Sequence, residues 1–190
     1  ADIVLIDDLK NCHVTDVFID GEYVAKDGKM LYEFTGYTYP ERAKNSMHIQ
    51  KKTAKDFVIK APNDKKCKVR VIEAIPARTS TNERIVEMTP VGGALVSDES
   101  SDILKTFVFE RHNNTGKFGC GFVKGFGIKR GALAQTVAHD AHNLLVIGTN
   151  DEDMVLAANT LINSGGGEVA VRDGKVIAHL PLPIAGLMSD

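Results

Sequence analysis

At 190 residues, 43% hydrophobic and 25% charged, the chain has the composition of an ordinary globular protein, with apolar residues enough for a sizeable core. A formal net charge of −2 gives no bulk attraction to nucleic acid, and no run approaches the roughly 20 apolar residues of a membrane helix. Three widely spaced cysteines, Cys12, Cys67 and Cys120, form no CxxC pair, which argues against a disulfide framework or zinc knuckle and for a reducing cytoplasm.

The opening "ADIVLIDDLKN" lacks a basic n-region and carries acids inside its apolar run, so it does not read as a signal peptide. Its strand pattern is already running at residue 3, as in a chain cut from a longer one. "VTDVFIDGEYVAKDGKML" then alternates apolar and polar residues around Asp20-Gly21 and Asp27-Gly28. Asp-Gly supplies the positive φ angles of tight hairpin turns, so residues 1–36 are expected to form a small β-module. "TGYTYPERAKNS", rich in turn formers, places a linker over 37–47, and a mixed α/β domain is expected over 48–190. The predicted fold class is α+β.

In the second part "DFVIKA", "KVRVIEAI", "NERIVEMTPVGG" and "DILKTFVFERH" read as strands, with lysines at 51, 52, 55, 65, 66 and 68 on solvated loops or edges. Glycines at 119, 121, 125, 127 and 131 argue for bent backbone or the close approach of another segment. The spacing matches neither GxxxxGK[ST] nor GxGxxG, so a phosphate loop is not indicated. A helix is expected over 151–163, capped by Thr149 or Asn150, opened by Asp151, Glu152 and Asp153, and closed at Ser164-Gly165. "GEVAVRDGKVIAHLPLP" reads as a hairpin turning at Asp173-Gly174.

The polar cluster His139-Asp140-Ala141-His142 stands just before the apolar run Leu144–Ile147. On a helix His139 and His142 share a face; on a strand Asp140 and His142 share one while His139 points away. The run that follows favours the strand, which pairs Asp140 with His142 as a carboxylate–imidazole unit. Such residues can equally be a polar strand end that binds backbone amides. Glu110 and His112 in "FERH" join the cluster only if the fold brings them near. No second ligand cluster at zinc-site spacing is present, and neither a Ser-His-Asp nucleophile elbow nor the zinc nucleobase-deaminase signature occurs.

Four strings in fixed order, "VFERHNNTGKFGCGFVKGFGIKRGA", "AHDAHN", "GTNDEDM" and "LPLPIAGLMS", resemble the C-terminal end of bacterial adenine deaminases of the amidohydrolase superfamily. "ADIVLIDDLKNCHVTDVFIDGEYVAKDGK" resembles the segment that follows an amidohydrolase barrel and returns to its small β-domain, so the likeness covers nearly the whole chain. It implies hydrolysis of adenine to hypoxanthine and ammonia, a (β/α)8 barrel with a manganese or iron centre, adenine as substrate, and a homo-oligomer. The superfamily's HxH and other barrel ligands are absent here, so no metal site is carried over to this chain and the barrel is its missing partner.

Two roles then stand side by side. In one, the domain supports the barrel's active site, with Asp140 and His142 assisting catalysis and His139, Glu110 and His112 meeting the adenine. In the other it is a structural or oligomerisation domain, and its histidines are incidental. A further alternative is the appended domain of another purine or cyclic-amide amidohydrolase.

Overall fold

The computed structural model describes residues 1–33 and 35–189; Phe34 and Asp190 lie outside the described residues. The chain divides into two compact units, residues 1–38 and 39–190.

The first unit is a four-stranded antiparallel meander: β1 (Ile3–Asp8), β2 (His13–Ile19), β3 (Glu22–Lys26) and β4 (Lys29–Met30), in that order. Both Asp-Gly turns adopt left-handed backbone, with φ of 50° and 80° at Asp20 and Gly21 and 47° and 74° at Asp27 and Gly28. This is the geometry that lets a two-residue turn follow the twist of its strands. Strand β1 exposes Ile3, Val4, Leu5 and Ile6 in succession, so both of its faces carry uncovered apolar surface.

The second unit begins at Tyr39, inside the stretch expected to be linker. It opens with a one-turn helix, α1 (Glu41–Lys44), and a 3-10 turn at Ala54–Phe57. Ten strands follow: β5 (Ile59–Lys60), β6 (Cys67–Ala74), β7 (Thr81–Met88), β8 (Ala94–Leu95), β9 (Ile103–Phe109), β10 (Phe118–Lys124), β11 (Ala132–Gln135), β12 (Leu144–Gly148), β13 (Gly167–Arg172) and β14 (Lys175–Pro181). Eight of them form one sheet in the order β14-β13-β11-β12-β9-β10-β6-β7, antiparallel throughout except for the parallel β6–β10 pair. β5 and β8 make a separate short pair. The fold is α+β, as its sequence pattern predicts.

The expected helix is α2 (Asp151–Ser164). The Asn150 side chain accepts from the Asp153 amide and caps its first turn. Gly165, with φ of 81°, closes it in the left-handed conformation. Its buried stripe of Met154, Ala157, Ala158 and Leu161 packs on Ala132, Ala134, Val146, Val169 and Val171. The alanines let the helix axis approach the sheet closely, and Phe57, Phe107 and Phe109 fill the core beside them. The Phe57 ring meets the other two edge-on, at 5.1 and 5.4 Å between centroids. Buried Lys105 of β9 crosses this layer to the Phe57 carbonyl and the Asp151 carboxylate, tying the helix start to the 3-10 turn. Helix α2 therefore covers the β11–β14 part of one face, the β5–β8 pair packs on the β6–β10 part, and among the described residues no helix lies on the other face.

Candidate functional site

Strand register gathers the polar segments at one end of the sheet. Phe109 ends β9 opposite Phe118 of β10 and Leu144 of β12, and Gln135 ends β11 beside Leu145. The β9–β10 and β11–β12 loops, which hold "FERH" and "AHDAHN", therefore lie side by side.

The strand geometry expected for residues 139–142 is not what forms. They make a tight turn, closed by the His142 amide donating to the Ala138 carbonyl at 2.8 Å, and strand β12 begins only at Leu144. His142 adopts φ of 49°, a left-handed conformation that histidine tolerates better than most residues. The period of two thus does not apply. His139 is not turned away from His142: their rings meet edge to face, 5.1 Å between centroids. His139 and Asp140 stand exposed at the tip, and His142 is half-buried at the base. Among the described residues the Asp140 carboxylate makes no hydrogen bond or ion pair.

Arg111 holds the turn in place. It is 1% exposed, and Nε donates to the His142 carbonyl at 2.6 Å. Nη1 donates to the Ser46 carbonyl at 2.8 Å and Nη2 to the Ala185 carbonyl at 2.9 Å. One guanidinium thereby joins the turn, the segment after α1 and the C-terminal tail. Burial pushes its pKa below the usual arginine value, yet a guanidinium remains protonated. Gly186 makes room for it: a Cβ there would sit 2.8 Å from Nη2.

The neighbouring loop and the segment after α1 add one imidazole each. His112 Nε2 lies 2.9 Å from the Ala141 carbonyl, and His48 Nδ1 lies 2.7 Å from the His112 carbonyl. A carbonyl only accepts, so each of these nitrogens carries the proton, and the other ring nitrogen of the neutral form is left as an acceptor. His112 of "FERH" and His139 and His142 of "AHDAHN" thus stand on neighbouring loops, with His48 as a fourth histidine beside them. Among the described residues no three His, Cys, Asp or Glu side chains converge as a metal-binding group.

Glu110 is occupied by its own loop. Its carboxylate accepts from the Thr115 amide and hydroxyl and from the amides of Asn113 and His112. These bonds, the Thr115 amide foremost, pull its pKa down to about 2 against the effect of burial. It orders residues 110–115 around His112 and has little capacity left for a ligand.

Two residues of the site escape a reading by motif. Arg111 is one, although Phe107, Phe109 and Arg111 fall on one face by strand alternation, and that signal places it inward. Asn143 is the other. Its Oδ1 is buried without a hydrogen-bond partner, and it lines a shallow hollow of about 360 Å³ with Val108, Glu110, Lys117, Phe118 and Gly119. An unsatisfied acceptor in this position favours a ligand or partner that donates an N–H or O–H.

A family model described as adenine deaminase C-terminal domain matches residues 78–190. Over all of this chain, proteins named adenine deaminase from Clostridium botulinum (strain Loch Maree / Type A3) and Moorella thermoacetica are 62% and 48% identical to it. One named adenine deaminase 2, from Carboxydothermus hydrogenoformans, is 45% identical. The chain spans about a third of the length of the curated relatives it matches: 32%, 32% and 33% of these three.

Proposed function

The chain belongs to the adenine deaminase C-terminal domain family, and from that premise we propose that it is the C-terminal part of an enzyme that hydrolyses adenine to hypoxanthine and ammonia in purine salvage. The single observation that carries this reading is the 62% identity, over the whole chain, to a protein named adenine deaminase. The chemistry itself belongs to a barrel outside this chain, where a bound manganese or iron would lower the pKa of the attacking water. Among the described residues no three His, Cys, Asp or Glu side chains gather as such a centre.

Within that enzyme the 138–143 turn supports the active site. Supporting it are the exposed His139 and Asp140 at the turn's tip and the free ring nitrogens of His112 and His142. The unpartnered Asn143 Oδ1 can accept from a purine N–H, and a site built to pair such a group discriminates strongly against analogues that lack it. Arg111 and Glu110 act at one remove by fixing the two loops. Residues 1–36 return to the small β-domain of the enzyme, a role supported by β1, whose apolar residues lie exposed on both faces.

The enzyme works in the cytoplasm as a homo-oligomer. No helix among the described residues is long and apolar enough to cross a membrane. Strand β14 leaves a free sheet edge with Val176 and Ile177 exposed, a template for pairing. The purely structural reading gains from one observation, that most of the site's polar side chains bind the protein's own backbone. Ammonia release from adenine, with manganese supplied, tests the assignment. The longer protein is expected to release ammonia and the 190-residue chain alone none; release by the chain alone contradicts it.

A further inference from the structure

We infer that the helix-free face of the large sheet is the seat on which the rest of the longer polypeptide docks. The inference rests on the reading that this chain is one third of an adenine deaminase, and it names the surface that joins the two parts.

Three independent features of the second unit point to a missing layer. The first is the sequence of the central strands. β12, "LLVIG", is apolar on both faces, a pattern that belongs to strands covered on both sides. Its Leu144 and Val146 lie under α2; on the other face Ile147 is buried with Leu104, Val123 and Ile128, while half-buried Leu145 stands beside exposed Leu133 of β11 and Val108 of β9.

The second is a groove of about 420 Å³ on that same face. Its floor and walls include Leu133, Leu145, Ile147 and Ala170, with Phe126 and Leu180 at the sides and Gln135 and Glu168 as polar members. Leu133, Phe126 and Leu180 remain 42%, 44% and 51% exposed, a contiguous apolar surface with a few polar groups, as at a protein contact.

The third is a pair of glycines with no reason inside the domain. Gly119 and Gly121 sit in the middle of β10 with ordinary strand backbone, opposite Val108 and Thr106. A Cβ at either would meet nothing within 4 Å. Glycine weakens a strand, so its presence here fits the close approach of an external body onto a bare backbone shelf. The shelf borders the hollow that holds the unpartnered Asn143 Oδ1. A body seated on this face therefore also reaches the 138–143 turn.

The occupant is the remainder of the same polypeptide rather than a second copy. In the relatives this segment is joined covalently to about twice its own length of chain. A tethered body meets the face at an effective concentration in the millimolar range. A second copy at ordinary protein concentration does not compete with that.

The test is thiol labelling of the longer protein carrying Leu133→Cys or Leu180→Cys, read peptide by peptide so that Cys12, Cys67 and Cys120 are resolved separately. The reference is Lys55→Cys, an exposed position within the 3-10 turn. Both face positions are expected to react at least tenfold more slowly than the reference, with no change on hundredfold dilution. Adding Gly121→Val, which the domain itself has space for, is expected to restore fast labelling. Labelling at the reference rate, protection that disappears on dilution, or protection indifferent to Gly121→Val overturns the inference. Ammonia release from the same samples separates the two proposals. A protected face in a protein inactive on adenine keeps the docking and sinks the functional reading, and an open face in an active enzyme does the reverse.

Discussion

Replacing Arg111 by Met is expected to destabilise the second unit by about 3–5 kcal/mol, because each buried acceptor it abandons costs roughly 1–3 kcal/mol. Methionine matches the apolar stem, so the loss falls on the guanidinium. The carbonyls of Ser46, His142 and Ala185 lose their donor together, and these belong to three segments far apart in sequence. For a domain of this size the midpoint of thermal unfolding is expected to fall by about 10 °C. Arg111→Lys keeps the charge, but its single nitrogen cannot reach three acceptors that Nε, Nη1 and Nη2 meet separately, so it is expected to recover less than half of the loss. Thermal melts of the three proteins check this. A shift within about 2 °C for Arg111→Met, less than the roughly 2–4 °C that a single kcal/mol produces at this size, refutes the role given to it.

Asp153→Ala is expected to cost about 2–4 kcal/mol, since charge-assisted hydrogen bonds contribute roughly 1.5–3 kcal/mol each when buried. Asp153 is 2% exposed. Its carboxylate receives the Gly174 amide at 2.7 Å, the Asp173 amide at 3.2 Å and the Asn150 amide nitrogen at 2.9 Å. It thus pins the β13–β14 hairpin turn to the start of α2. Burial alone would raise its pKa, but the bonds from Asn150, Gly174 and Asp173 outweigh it and hold the carboxyl below 3.8. A depressed folded value stabilises the protein above the unfolded one and is lost as pH falls through the folded value. The gap in melting temperature between wild type and Asp153→Ala is therefore expected to be full at pH 7 and to narrow below about pH 4. A gap that stays constant down to pH 2.5 contradicts the assignment.

The helix and the hairpins were legible because their signals are local. Asn150, Asp151–Asp153 and Gly165 delimit α2 by their own capping chemistry, and Asp173-Gly174 dictates its turn without tertiary help. The cluster at 139–142 was visible as an oddity, but its geometry was misread. Period-two reasoning carried the strand of Leu144–Ile147 back through residues 139–143, whereas the chain there is bent by the bond from His142 to Ala138. The glycine run mixed two cases that a sequence does not separate. Gly125, Gly127 and Gly131 have positive φ and bend the chain, while Gly119 and Gly121 lie in regular strand. Arg111 was missed because an arginine at a strand end usually reaches water. Its burial depends on carbonyls contributed by residues 46, 142 and 185, which only the folded chain brings together.

Whether the 138–143 turn serves the reaction is read most directly from the steady-state kinetics of adenine deamination by the longer protein carrying Asp140→Asn, His139→Ala or His142→Ala. Among the described residues the Asp140 side chain has no bonding partner, so its amide variant should fold as the wild type does. The expected result for Asp140→Asn is an unchanged melting temperature with kcat/KM lowered about tenfold, equivalent to ~1.4 kcal/mol of lost transition-state stabilisation. His139→Ala and His142→Ala are expected to lower it as well. If all three variants keep the wild-type kcat and KM for adenine, the turn is structural and the proposed support of the active site is wrong.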